Sequence, residues 1–511
     1  MPIDYLKRIL NSRVYDVVQT TPLEAAPGLS ASCDNCVWLK REDCLPVFSF
    51  KLRGAYNKLA GLSVEKRERG VVCASAGNHA QGVAFSADFL KSKATIVMPK
   101  TTPRIKVDAV KKLGGKAVKT ELVGSTFDEA YEYARGLEKH HELTFVHPFD
   151  DPDIIAGQGT IGMEILHQYS RYMAPGGIHA VFCPIGGGGL ISGVAAYIKS
   201  LRPEIKIIGV EAIDSDAMTR SLRAGRRVKL QQIGLFADGT AVKQVGGETF
   251  RLCRQFVDET ICVDTDAICA AIKEIFEDTR SVMEPAGALA VAGLRAYVQK
   301  YGVQGENMVA ITSGANMNFN RLRFVAERAE VGERREALFA VTLPERPGAY
   351  KAFVSLIGKR DITEFNYRYS DAHQAHVFVG MEVEGSSEAK ALLDMLHREG
   401  YESIDLSGDE MAKLHIRHLV GGHAPQAENE ILYRLEFPER PGALMNFLNH
   451  MSADWNISLF HYRNHGADTG RVLVGMQVPP EDQDKFKVFL QKLGYQHWNE
   501  SDNPAYKLFL S

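Results

Sequence analysis

One hexapeptide occurs twice in this chain. Pro344-Glu345-Arg346-Pro347-Gly348-Ala349 returns as Pro438-Glu439-Arg440-Pro441-Gly442-Ala443. Two further blocks follow each copy in the same order. Phe365-Asn366-Tyr367-Arg368 is echoed by Phe460-His461-Tyr462-Arg463, and Val377-Phe378-Val379-Gly380-Met381 by Val472-Leu473-Val474-Gly475-Met476. Such a duplication requires two copies of one supersecondary unit. Each copy reads strand, helix, two strands, helix, short strand, a βαββαβ or ferredoxin-like unit. Pro347 and Pro441 suit a first helical turn, where a missing N–H costs nothing. The units are expected over residues 337–408 and 431–503, joined by the turn-rich Val420 to Pro425. Neither carries a nucleophile or a metal cluster, so the pair points to regulation or assembly rather than chemistry.

Residues 1–326 follow another rule. Short β-rich runs alternate with helical periods: Val37 to Lys40, Val71 to Ala74, Ala94 to Met98, Lys116 to Val118, Leu143 to Val146, Ala180 to Cys183, Lys206 to Val210 and Met308 to Ile311. A helix containing Ile105 to Leu113 lies among them. Strands alternating with helices imply a parallel sheet, the α/β class. The charged stretch 327–336 reads as a linker or helical neck before the repeat. A length of 511 residues accommodates about three domains of ~150 residues.

Composition excludes several classes. A formal net charge of −3 gives no basic field for nucleic acid or an anionic membrane. No run approaches the ~18 apolar residues of a membrane span. Met1 to Arg8 has no apolar core of a secretory signal, so a cytoplasmic location is expected. Cys33-Asp34-Asn35-Cys36 has no second pair or His pair to complete a zinc site and reads as a loop with two reduced thiols. Cys44, Cys73, Cys183, Cys253, Cys262 and Cys269 read as small buried apolar residues. No metal ligands are expected.

Four motifs in the α/β region carry chemistry. Lys51 sits within Ser49-Phe50-Lys51-Leu52-Arg53-Gly54-Ala55. A lysine in apolar surroundings loses its charge easily and becomes a nucleophile of the kind that forms Schiff bases with pyridoxal phosphate. Ser75-Ala76-Gly77-Asn78-His79-Ala80-Gln81-Gly82 is a small polar turn into a helix, whose free N–H groups suit a substrate carboxylate. Ser75, Asn78 and His79 are the candidates there, although His79 equally suits a structural cap. Gly186-Gly187-Gly188-Gly189-Leu190 exposes backbone N–H groups at a helix start, which is how a phosphate is cradled without a cation. It lacks the Gly-Lys-Ser/Thr of a nucleotide loop. Thr312-Ser313-Gly314-Ala315-Asn316 closes the region with a serine at a strand end, and Glu284-Pro285-Ala286-Gly287-Ala288 reads as a turn in which Glu284 caps a helix.

These motifs, in this order, resemble the biosynthetic threonine deaminase (threonine ammonia-lyase) family over nearly the whole chain. The resemblance implies a fold-type II pyridoxal-phosphate enzyme, similar to tryptophan synthase β, followed by two ACT-like regulatory domains. It implies that Lys51 holds the cofactor covalently and acts as catalytic base. It implies Asn78 on the ring 3′-oxygen, Gly186 to Leu190 on the phosphate, and Ser313 as the neutral partner of the pyridine nitrogen. L-threonine is the implied substrate and L-serine a poorer one. Isoleucine inhibition, valine antagonism and a homotetramer are implied too, with effector pockets around Phe365 to Arg368 and Phe460 to Arg463. Two departures bear on this. Ala286 stands where relatives often have serine. Ala76 stands where similar serine racemases carry a serine acting as second base, and alanine transfers no proton. Those racemases also place a cation near a loop like Glu211 to Asp216, where a salt-bridged loop is an equal reading. A serine-acting dehydratase or racemase of the same fold, and a non-catalytic amino-acid sensor, are the competing readings.

Overall fold

The computed structural model describes residues 3–172, 176–332, 335–344, 349–358, 362–367, 373–418, 427–438, 443–452, 455–463 and 469–510. They form two compact units, Met1–Asn318 and Phe319–Ser511.

The first unit holds two sheets. Its strands are β1 (Leu23–Ala25), β2 (Cys36–Arg41), β3 (Val71–Ala74), β4 (Ala94–Met98), β5 (Val118–Leu122), β6 (Thr144–Phe145), β7 (Ile178–Pro184), β8 (Lys206–Ala212), β9 (Glu259–Val263) and β10 (Asn307–Thr312). One sheet runs β1-β2-β10-β7-β8-β9 and the other β5-β4-β3-β6. Every pairing is parallel except β1 with β2. β3 and β10 are buried along their whole length, as parallel strands covered on both faces must be. The larger core joins Val181 and Cys183 of β7 to Ile191, Val194 and Ile198 of the helix Gly189–Leu201. Parallel strands deliver their carboxyl ends to one edge, where ligands bind in open α/β sheets. β3, β6, β7 and β10 end in the four segments that build the site described below.

Several local readings need correction. Lys116–Ala117 belongs to a single 3-10 turn, and the strand begins at Val118. The fourth run keeps only Thr144–Phe145 as strand, because the chain turns at His147 to serve the site. β9 adds a strand beyond those expected from the sequence; Glu259-Thr260-Ile261-Cys262-Val263 carries three β-branched residues in five and pairs in parallel with β8. Cys44 is exposed and Cys262 only half-buried, against the expectation of burial. Cys33 ends a helix and is buried, whereas the exposed Cys36 opens β2, and all eight thiols are free.

In the second unit, each repeat folds as one four-stranded antiparallel sheet. The strands are β11 (Glu336–Pro344), β12 (Ile362–Tyr367), β13 (Gln374–Glu382) and β14 (Glu402–Asp405), then β15 (Glu430–Pro438), β16 (Asn456–Arg463), β17 (Thr469–Gln477) and β18 (Gln496–Asn499). The orders β12-β13-β11-β14 and β16-β17-β15-β18 are identical and fit the ferredoxin-like expectation. Leu338, Ala340 and Phe378 of the first repeat share one core with Leu432 and Leu473 of the second, so the two sheets bury their open faces on each other. The helix Arg321–Gly332 covers the charged stretch as far as Gly332. Residues 333–334, the hexapeptide prolines Pro347 and Pro441, Arg368 and the connector Val420 to Pro425 lie outside the described residues. So do the side chains of Asn366, Tyr367, Tyr462 and Arg463.

Candidate active site

Lys51 is the first residue of the helix Lys51–Ala60. That helix forms because Leu52, Ala55, Tyr56 and Leu59 recur at helical spacing and all are buried. The chain entering it is fastened to the segment after β10. Ser49 bridges Gly314, Phe50 N donates to the Ser313 carbonyl (3.1 Å), and Ala315 N donates to the Phe48 carbonyl (2.9 Å). The half-buried Lys51 Nζ donates to the carbonyl of Pro148 at 3.2 Å. Burial lowers its pKa to about 8, and the Glu284 carboxylate opposes that shift.

Arg53, two residues on, is fully buried and faces away from this chemistry. Its guanidinium forks onto Glu42 (2.7 and 2.9 Å) and Glu164 (2.6 and 3.0 Å). Lys40 of β2 completes the set on Glu164 at 2.6 Å. Each buried charge thereby has an opposite partner, the condition for tolerating burial at all. The arginine of the lysine motif therefore locks its helix to the turn Glu42–Cys44 that follows β2 and to the helix Pro152–Tyr172.

The turn after β3 brings Ser75, Ala76, Gly77 and Asn78 to the same edge, all half-buried. Asn78 opens the helix Asn78–Phe89. Its Nδ2 donates to Glu284 Oε1 (2.6 Å) and its Oδ1 accepts from Asn316 Nδ2 (2.9 Å). His79 is buried, with Nε2 at 2.9 Å from the Val146 carbonyl; burial, with the positive charge of Lys51 adding to it, lowers its pKa to about 3. Its ring is neutral and engaged with backbone, which is the structural alternative noted for it above. Ser75 Oγ accepts from Gly77 N at 3.3 Å.

The glycine loop joins β7 to the helix Gly189–Leu201, and Leu190 lies in that helix's first turn. Gly188 has φ +94, a conformation that glycine adopts freely. A Cβ on Gly187 would fall inside the Phe149 ring, and one on Gly186 would lie 2.9 Å from Thr240 Cα. Thr249 Oγ1 donates to the Gly187 carbonyl at 2.6 Å, so that oxygen is satisfied within the protein. The loop is therefore glycine-rich because protein packs against it from several sides.

Sequence reasoning missed the segment His147 to Asp150 after β6. Phe149 N and Asp150 N donate to His147 Nδ1, which fixes the turn. Pro148 then supplies the acceptor for Lys51 and Phe149 backs the glycine loop. Asp150 accepts from the backbone N–H of Gly247, Glu248 and Thr249 at 2.8 to 3.2 Å, capping the distant helix Gly247–Phe256. The available signal was a turn at a strand's carboxyl end, shared by the other site segments. Glu284 also differs from expectation. It occupies the cap position of the helix Pro285–Tyr301 but makes no capping bond with its side chain. Ser313 is buried, and its Oγ donates to the Ala286 carbonyl at 3.2 Å. Glu211 is buried and accepts from the backbone N–H of Met218 (2.9 Å) and Thr219 (2.7 Å), so it caps the helix Ala217–Ala224. Among the described residues no group of three or more His, Cys, Asp or Glu could hold a metal.

Residues 14–314 match the family described as pyridoxal-phosphate dependent enzyme. Residues 327–416 and 421–510 each match the C-terminal regulatory domain of threonine dehydratase. The biosynthetic L-threonine dehydratase of Burkholderia multivorans is 59% identical over 508 residues, 99% of each chain. The chain belongs to the biosynthetic threonine dehydratases. Within that family, the enzyme of Escherichia coli is 51% identical, over 99% of this chain and 97% of its own. Among solved structures, the processed threonine deaminase isoform 2 of Solanum lycopersicum is 50% identical with TM-score 0.61, covering 64% of this chain and 88% of its own. A serine racemase of Dictyostelium discoideum is 29% identical with TM-score 0.56, over 61% of this chain and 99% of its own. The residues present in this threonine dehydratase fit pyridoxal phosphate. A lysine amine lowered to about 8 suits a carbonyl partner, and glycine N–H groups opening a thirteen-residue helix suit a phosphate.

Proposed function

We propose that the protein converts L-threonine to 2-oxobutanoate and ammonia, the first step of isoleucine biosynthesis, with pyridoxal phosphate held at Lys51. The observation that carries this reading is the Lys51 amine, which starts a locked helix, carries a depressed pKa and faces the Pro148 carbonyl.

When bound, pyridoxal phosphate supplies the electron sink for the pair left by the broken Cα–H bond. Lys51 would hold the cofactor and, when freed, would take the Cα proton on Nζ; a pKa near 8 leaves roughly a tenth of the amine as free base at pH 7, far more than an ordinary lysine offers. Gly186 to Leu190 bind the phosphate through backbone N–H groups at the positive end of the helix Gly189–Leu201. Asn78 donates to the ring oxygen. Ser313 would serve the ring nitrogen with a neutral hydroxyl, turning its proton there from the Ala286 carbonyl, and a neutral hydroxyl does not keep that nitrogen protonated. The turn Ser75 to His79 binds the substrate carboxylate through its N–H groups. Ala76 offers no second base, so elimination prevails over racemisation.

L-serine is a poorer substrate in this reading. The repeats 337–408 and 431–503 respond to isoleucine as inhibitor and valine as antagonist, and the working assembly is a cytoplasmic homotetramer. Two matches to a threonine dehydratase regulatory domain support the regulatory part.

The test is 2-oxobutanoate formation from L-threonine with and without isoleucine, together with borohydride trapping of pyridoxal phosphate on Lys51. Turnover suppressed by isoleucine and restored by valine is the expected result. Absence of both turnover and labelled Lys51 overturns the reading.

A further inference from the structure

An asparagine amide has two ends of nearly equal shape and opposite hydrogen-bonding character. Which end donates is set by its neighbours. Here the setting begins at a group that cannot reverse: the Val47 carbonyl accepts from Asn316 Nδ2 at 2.8 Å. The same nitrogen donates to Asn78 Oδ1 at 2.9 Å, which leaves Asn78 Nδ2 on the other side, 2.6 Å from Glu284 Oε1. A carboxylate has no proton to give, so only the nitrogen end of Asn78 fits against it.

Glu284 has a built seat for this task. It is buried at 6% exposure, and its own N–H donates to the Gly314 carbonyl at 3.2 Å. A Cβ on Gly314 would lie 2.7 Å from Glu284 Oε1, and one on Gly239 would lie 3.4 Å from it. Two glycines from separate segments thus leave room for one carboxylate. Its helix does not use it as a cap. Its charge also acts on the Lys51 amine. The seat joins the asparagine turn, the segment after β10 and the lysine, three parts far apart in sequence.

We propose that Glu284 is a positioning residue for Asn78, fixing which end of that amide donates and leaving the second N–H of Nδ2 for the cofactor ring oxygen. The assignment rests on the cofactor site proposed above.

Glu284→Gln keeps size and hydrogen-bonding capacity but presents either an oxygen or a nitrogen to Asn78, so the orientation is no longer enforced. Loss of one bond to a charged acceptor is worth roughly tenfold in affinity. The expected results are a dissociation constant for pyridoxal phosphate raised about tenfold, a displaced visible absorption band in the loaded enzyme, and an unchanged melting temperature of the apoenzyme. Asn316→Asp replaces the donor facing Asn78 Oδ1 with an acceptor and should move affinity and absorption in the same direction. Unaltered affinity and spectrum in both variants overturn the proposal, as does a loss of affinity that follows a fallen apoenzyme melting temperature in both. Borohydride labelling of Lys51 in the unmodified enzyme separates the two failures. If that labelling is absent the cofactor site itself fails; if it is present and the variants bind normally, only the role of Glu284 fails.

Discussion

Asn503 Nδ2 donates to Asp409 Oδ2 at 3.0 Å, and the two residues hold equivalent places in the two repeats. Each also caps a short helix in its own repeat. Asp409 Oδ1 accepts from Ala412 N and Asn503 Oδ1 from Ala505 N, both at 2.8 Å. The same pair of side chains therefore finishes two helices and ties the repeats together. Removing an N-cap costs about 1 kcal/mol. Asp409→Ala and Asn503→Ala should each lower stability by about that amount, with a coupling of about 0.5 kcal/mol or more in the double variant. A double-mutant cycle by urea unfolding of the full chain checks this. Strictly additive losses would show that the cross-repeat bond contributes nothing.

Arg53→Met leaves Glu42 and Glu164 buried without the guanidinium that satisfies both. Breaking a buried ion pair from one side typically costs about 3–5 kcal/mol. The catalytic unit of this variant should melt far below the unmodified protein, which calorimetry would detect. A shift as small as that of an exposed ion pair would contradict the burial of this network.

Gly187→Ala forces a methyl group into the Phe149 ring. Overpacking of this kind costs about 1–3 kcal/mol. The variant should hold pyridoxal phosphate more weakly, and adding Phe149→Leu should restore part of the loss. Titration of the apoenzymes with cofactor decides it. Equal cofactor affinity in Gly187→Ala and the unmodified enzyme would mean that the loop's glycines are not set by Phe149.

Glu211 gives a pH dependence of defined sign. Burial raises its pKa to about 7, above the ordinary value of 4.5, against the opposing help of the Thr219 and Met218 N–H groups. The unfolded chain therefore releases this proton first. The contribution to stability is complete below about pH 4.5 and is lost as pH rises through about 7. Glu211→Gln should flatten the change in melting temperature over that interval. An unchanged slope would place the titration on another group.

The repeat was legible because duplication leaves matched words in order, and the order predicts matched sheets. The catalytic strands were legible as apolar runs, and the cofactor motifs as strand-end turns. What stayed hidden was long-range. Glu284 read as a cap because a carboxylate before Pro285 is a good local cap; its real partner, Asn78, is 206 positions away. Four glycines read as a phosphate cradle, but their packing against Phe149, Thr240 and Thr249 has no local signature. Lys116 to Val118 read as strand because alternation is blind to a tight turn two residues before the strand proper.

The position of β2 has a consequence for how this protein is made. β2 lies between β1 and β10, and the segment after it, residues 42–50, leads into the helix that Lys51 opens. Until Asn307–Thr312 exists, β2 has a bare edge and Phe48 to Phe50 have no Ser313 to Ala315 to hold them. A nascent chain on the ribosome therefore carries its key lysine from the start yet cannot assemble the pocket until nearly the whole first unit has been synthesised. Such late, long-distance closure slows folding, and it leaves the half-made enzyme chemically silent while it grows.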